Sequence, residues 1–144
     1  MQLGTINWLA VLVAGLSSFV VGGIWYSPGL FGRAWMKDNQ LTEEDVKKSS
    51  KVKVFGWTLI FSLLMAANLG MFLAPSPEGC TGQCVPVVDM SWGATAGLLA
   101  GIWTFCAIAI HSLFEQKPWR VILINGFYSL VSLTLMGAII GVWR

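Results

Sequence analysis

A chain of 144 residues is long enough for one ordinary domain. Its 56% apolar and 11% charged residues exclude an ordinary soluble one, where about 45–50% and about 25% are usual. The net charge of +2 matters less than where the charges sit, and no nucleic-acid partner is expected.

The first apolar run covers about residues 6–26 and is long enough to cross a hydrocarbon core of about 30 Å as a helix. No charge lies between Met1 and Asn7, and basic residues follow the run. That is the reverse of a cleaved signal peptide, so the run is expected to stay as a span. It ends in Trp25-Tyr26-Ser27-Pro28, where the proline disfavours helix at Ser27 and turns the chain. Leu30, Phe31, Ala34 and Trp35 would then share one face of a short helix lying in the membrane interface, with Arg33 and Lys37 available to anionic headgroups. Thr42 and Asp45 fit a capping box for a further loop helix.

Three more uncharged runs follow, at about 54–73, 90–114 and 121–143. The expected fold is therefore all-α, one four-span membrane domain over residues 1–144 with a short cytoplasmic interfacial helix after the first span. The loops on one side hold Arg33, Lys37, Lys47, Lys48, Lys51, Lys53, Lys117 and Arg120, whereas the loop between spans two and three has no lysine or arginine. Positive residues stay on the cytoplasmic side, which places both termini outside a cytoplasmic (inner) membrane. The basic segment serves topology near anionic lipid. Most tryptophans fall at span ends, as headgroup-level rings do; Trp103 is mid-span and Trp35 lies in the first basic segment.

Helices associate in lipid through close packing of small residues and through polar bonds. Each span carries small residues four apart, in the manner of a glycine zipper. They are Ala10, Ala14, Ser18 and Gly22; Ser62, Ala66 and Gly70; Gly93, Gly97 and Gly101; and Gly137 and Gly141. A four-helix bundle can bury all these rows, and a homo-oligomer can use some of them instead.

No charged residue falls within the expected spans, which disfavours a proton-coupled pump. His111 and Asn125 lie about two turns on either side of the Lys117-Pro118 turn and would face each other if their helix rotations agree. Glu115 is one turn beyond His111, and Tyr26 ends the first span at the same level. These four form a candidate polar cluster at the cytoplasmic mouth. Histidine can change charge near neutral pH, so the cluster could sense pH or merely tie spans together by hydrogen bonds. One histidine cannot supply a tetrahedral metal site, and no phosphate loop, nucleophile elbow or zincin motif is present. No catalytic residue, cofactor or metal is assigned. Cys80 and Cys84 in "GCTGQC" are expected to form a disulfide in the outward loop, while Cys106 is expected to pack as a small apolar residue.

The segments "INWLAVLVAG", "WYSPGLFGRAWM", "LTEED" and "LINGFYSLVSLTLMGAIIGVW" resemble the small bacterial membrane-protein family known as domain of unknown function 1761. The resemblance runs from the first span to the last. It implies a four-span membrane protein of unassigned activity and carries over no catalytic or binding residues. Two functions remain: an accessory membrane protein, not an enzyme, that binds lipid or a partner, or an oligomeric pore or small-solute transporter with its glycine faces at the protomer contact.

Overall fold

The computed structural model describes residues 6–74 and 88–143. Among these residues it contains helices and no strand: α1 (Trp8–Trp25), α2 (Gly32–Asp38), α3 (Glu43–Lys48), α4 (Lys51–Phe72), α5 (Met90–Phe114) and α6 (Trp119–Val142). Four of them, α1, α4, α5 and α6, are long and apolar enough to cross a membrane.

Local signals set the helix starts. Asn7 caps α1 by accepting from the Leu9 and Ala10 amides, and Asp89 caps α5 through the Trp92 amide. Such side-chain oxygens satisfy helix N–H groups that have no partner within the helix. At α3, the Thr42 hydroxyl accepts from the Asp45 amide while the Asp45 carboxylate accepts from the Thr42 amide, a reciprocal box. Ser50 caps α4 at once, so the fourth helix takes in Lys51 and Lys53, three residues before the uncharged run begins. Two glutamines close turns at positive φ: Gln40 at 57° after α2 and Gln116 at 56° after α5. Behind Gln116, the Lys117 amide donates to the Ser112 carbonyl and the Gln116 amide to Leu113. This double bond pattern, with one left-handed residue, ends helices sharply, and Pro118 then starts α6.

The chain between α1 and α2 folds back on itself. The amides of Leu30 and Gly32 donate to the Ser27 carbonyl, and that of Phe31 to Trp25. A Cβ on Gly32 would run into the carbonyls of Tyr26 and Ser27, so the close approach requires glycine here. The resumed helix is shorter than the sequence suggests: Phe31 is only its flanking residue, and the Phe31 ring instead packs on Trp25 at 4.8 Å between centroids.

Packing centres on α6. Helix α5 lies along it through the small-residue row, α1 packs on both α6 and α4, and α5 makes only marginal contact with α1 and α4. A Cβ on Gly93 would lie 3.0 Å from the Cα of Gly141, one on Gly97 3.0 Å from the Cα of Thr134, and one on Gly101 2.8 Å from the Cα of Leu130. The α5 and α6 backbones therefore touch, which maximises dispersion contacts between them. Ala10, Ala14 and Ser18 of α1 and Ser62, Ala66 and Gly70 of α4 are buried as well, and Gly22 meets Tyr128. These rows lie inside the chain. Glycine faces at a protomer contact, as in the pore reading, are thus corrected: Gly93, Gly97, Gly101, Gly137 and Gly141 are covered by the chain's own helices. The core they frame holds Val11, Ala14, Ala66, Leu69, Met136 and Ile140.

Asn7 Nδ2 donates to the Trp143 carbonyl at 3.0 Å, so the start of α1 and the end of α6 meet at one end of the bundle. The basic segments around α2, α3 and the α5–α6 turn lie at the other. Cys106, expected to pack as a small apolar residue, is a free cysteine exposed on α5. Cys80 and Cys84 lie outside the described residues.

Candidate functional site

At the basic end, the seam between α1 and α6 carries a run of polar contacts. Both helices are antiparallel here, so residues near the end of α1 meet residues near the start of α6. Tyr26 donates through its hydroxyl to Asn125 Oδ1 at 2.8 Å. Trp25 Nε1 donates to the Ile124 carbonyl at 3.0 Å. One turn deeper, the Tyr128 hydroxyl donates to the Ser18 carbonyl at 3.3 Å, with the Ser18 hydroxyl 3.4 Å away. The Tyr26 ring stands edge-on to Tyr128 at 5.4 Å and to Trp35 of α2 at 5.7 Å, favourable arrangements of aromatic quadrupoles. Gly22 makes room for Tyr128: a Cβ there would lie 3.1 Å from its hydroxyl oxygen.

Outside this seam, Arg120 at the start of α6 donates through Nε and Nη2 to the two carboxylate oxygens of Asp38 at the end of α2. The Asp38 side chain is 14% exposed. A two-point fork of this kind fixes orientation as well as distance, and it holds α2 against α6.

The structure divides the four residues of the expected cluster. Tyr26 and Asn125 are joined, whereas His111 and Glu115 are exposed. Among the described residues, no hydrogen bond joins His111 to Asn125 and no ion pair joins it to Glu115. The reason is helix rotation. The α5 face that meets α6 runs from Gly93, Gly97 and Gly101 through Phe105, whose ring covers Gly126, to buried Ser112. His111 is one residue, about 100° of rotation, off that row. The juxtaposition expected of His111 with Asn125 is corrected accordingly, and the arrangement that would hold the ring through a change of charge is not formed.

Tyr128 takes the place expected of His111. It lies three residues after Asn125 on the same helix face, a signal present in the sequence. No local signal joins Asp38 to Arg120, 82 residues apart. Ser132, one turn beyond Tyr128, is 1% exposed and its hydroxyl has no hydrogen-bond partner among the described residues.

The second feature is a groove of about 540 Å³ between α4 and α5, floored by Leu133 of α6. It exists because α5 seats on α6 and leaves α4 aside. Trp92 and Trp103 line its α5 wall, and Met65, Asn68 and Phe72 its α4 wall. Trp103 is 81% exposed.

Neither the seam nor the groove brings three metal-binding side chains together among the described residues. The sequence pattern of the family described as "Protein of unknown function (DUF1761)" matches residues 9–141, from α1 to α6. The chain belongs to the DUF1761 family. No curated protein and no solved structure matches it. For this DUF1761 chain, the geometry of the seam and the groove is what speaks to function.

Proposed function

We propose that this DUF1761 chain is a multi-pass membrane protein that acts by binding lipid or a partner, and that it neither catalyses a reaction nor conducts ions. The observation that carries this reading is the closed interior. Ala14, Ala66, Ile122 and Met136 are fully buried among α1, α4 and α6, and the polar side chains of the seam bond to one another. A conducting path would need polar groups facing a water-filled space.

In this reading the basic segments face the cytoplasm, and the start of α1 and the end of α6 lie outside a cytoplasmic membrane. Lys37, Lys47, Lys48, Lys51, Lys53 and Lys117 lie near anionic headgroups, and α2 rests in the interface. Self-association, if it accompanies binding, uses outward apolar faces, because the small-residue rows are occupied within the chain.

The test is reconstitution in liposomes with entrapped ion-sensitive dye. Flux equal to protein-free vesicles is expected; flux that rises with protein content would overturn the reading. Orientation is read separately, by labelling a Ser49→Cys variant lacking the native cysteines with an impermeant maleimide. Slow labelling in intact cells is expected, and rapid labelling would reverse the topology.

A further inference from the structure

The groove between α4 and α5 is separate from the seam and shares no residue with it. Its dimensions select among occupants. It follows α5 from Trp92 to Thr104, about 18 Å of helix at 1.5 Å per residue. That is close to one leaflet of a hydrocarbon core about 30 Å thick, and it begins at the end of the bundle remote from the basic segments. A volume of about 540 Å³ spread over that length averages about 30 Å² in cross-section, well under the roughly 80 Å² or more of a helix about 10–12 Å across. An extended hydrocarbon chain fits such a slot; a helix of a second copy does not.

The polar groups in the lining refine the choice. Thr95 and Thr104 turn their hydroxyls to carbonyls of their own helix, at Ser91 and Ala100. Among the described residues of the lining, that leaves the Asn68 amide as the side chain with donors and an acceptor to offer. It sits four residues before the end of α4 at Phe72, about 6 Å inside that end. An amide in hydrocarbon is costly unless it is hydrogen-bonded, and at that depth the groups available are the ester carbonyls of lipid. Trp92 stands nearer the helix end, where indole rings favour the headgroup level.

We infer that the groove between α4 and α5 is a binding site for one diacyl glycerophospholipid of the leaflet remote from the basic end. One acyl chain lies along Leu69, Leu99 and Leu133, and its ester carbonyl accepts a hydrogen bond from Asn68. This inference rests on the binding reading above, yet its readout is independent of flux. Vesicles that leak while the protein keeps its lipid would sink the earlier reading and leave this one standing.

The experiment is native mass spectrometry of the protein released from nanodiscs made of a diester phosphatidylglycerol or its diether analogue. The parent is expected to retain one diester lipid under activation that strips the rest, and to retain the diether several-fold less. Ala100→Phe, which fills the groove, should lower retention about tenfold, while Val20→Phe on the exposed face of α1 should leave it unchanged. Asn68→Leu, close in volume and compatible with the helix, should erase the preference for ester over ether even if Ala100→Phe fails to fold. Equal retention of ester and ether by the parent would overturn the proposal. So would unchanged retention in folded Ala100→Phe, or a lipid-free dimer that Ala100→Phe dissociates.

Discussion

The hydroxyl of Tyr26, at the end of α1, donates a 2.8 Å hydrogen bond to the side-chain carbonyl of Asn125, in the second turn of α6. These residues are 99 apart in sequence, and with the bond of Trp25 to Ile124 they fix the rotation of α1 against α6. Bonds of this type contribute about 0.6–2 kcal/mol between membrane helices. Tyr26→Phe is therefore expected to lower stability by that amount, and Asn125→Leu by a similar one. The double variant should lose less than the sum of the two. Unfolding in mixed micelles, read as a double-mutant cycle, checks this; additive losses would show that the pair is not coupled.

Backbone contact between α5 and α6 makes the effect of an added methyl depend on its site. Gly97→Ala places a Cβ against the carbonyl of Leu133 and the Cα of Thr134, so helices must separate, at about 1–3 kcal/mol or more. Gly56→Ala meets nothing within 4 Å, and there alanine should stabilise α4 by about 0.5–1 kcal/mol. Thermal denaturation of the two variants in one detergent should shift in opposite directions. Shifts of the same sign would contradict the packing.

The fork between Arg120 and Asp38 predicts a dependence on acid. The hydrogen bonds from Arg120, and with them its charge, hold the Asp38 carboxyl below the ordinary carboxylate range. A carboxyl depressed in the folded state gives stability that is complete above its unfolded value, near 3.9, and that is lost as pH falls through the folded value. Asp38→Asn should accordingly flatten the acid limb of the melting curve below about pH 4 and leave its shape near neutrality unchanged. An acid limb identical to the parent's would remove the pair from the account.

At Gln116, φ is 56°, a conformation that is unfavourable for a residue with a Cβ. Gln116→Gly relieves that strain while keeping the two capping bonds, so a net gain of about 0.5–1 kcal/mol is expected. Melting temperature is the measure. A drop would mean that the glutamine side chain contributes more than its backbone costs.

The four long apolar helices were legible because runs of about 20 uncharged residues have few alternatives, and the loop helix because Thr42 and Asp45 are a local, reciprocal cap. Helix rotation was harder. The spans are apolar all round, and apolar periodicity is what normally tells a core face from a lipid face. Gly93, Gly97 and Gly101 did mark one face of α5, and extending that row by whole turns leads to Phe105 and Ser112, not to His111. Asp38 and Arg120 could not be paired in advance, since each is an ordinary charge in a basic loop. The groove was invisible for a different reason: it is defined by which helices fail to touch.

Helix α6 touches α1, α4 and α5, and it follows all three in chain order. Until it enters the membrane, α5 has no seat, and its glycine row lies bare against acyl chains that cannot interdigitate with it as closely as a backbone can. Helices α1 and α4 can meet earlier, because each already holds part of the other's face: Gly15 against Leu63, and Gly70 against Val11. Helix α6 is thus the element that joins the α1–α4 pair and α5 into one body. A chain halted before Trp119 would lack the surface that covers Gly93, Gly97 and Gly101, so the last helix decides whether α5 has a place in the fold.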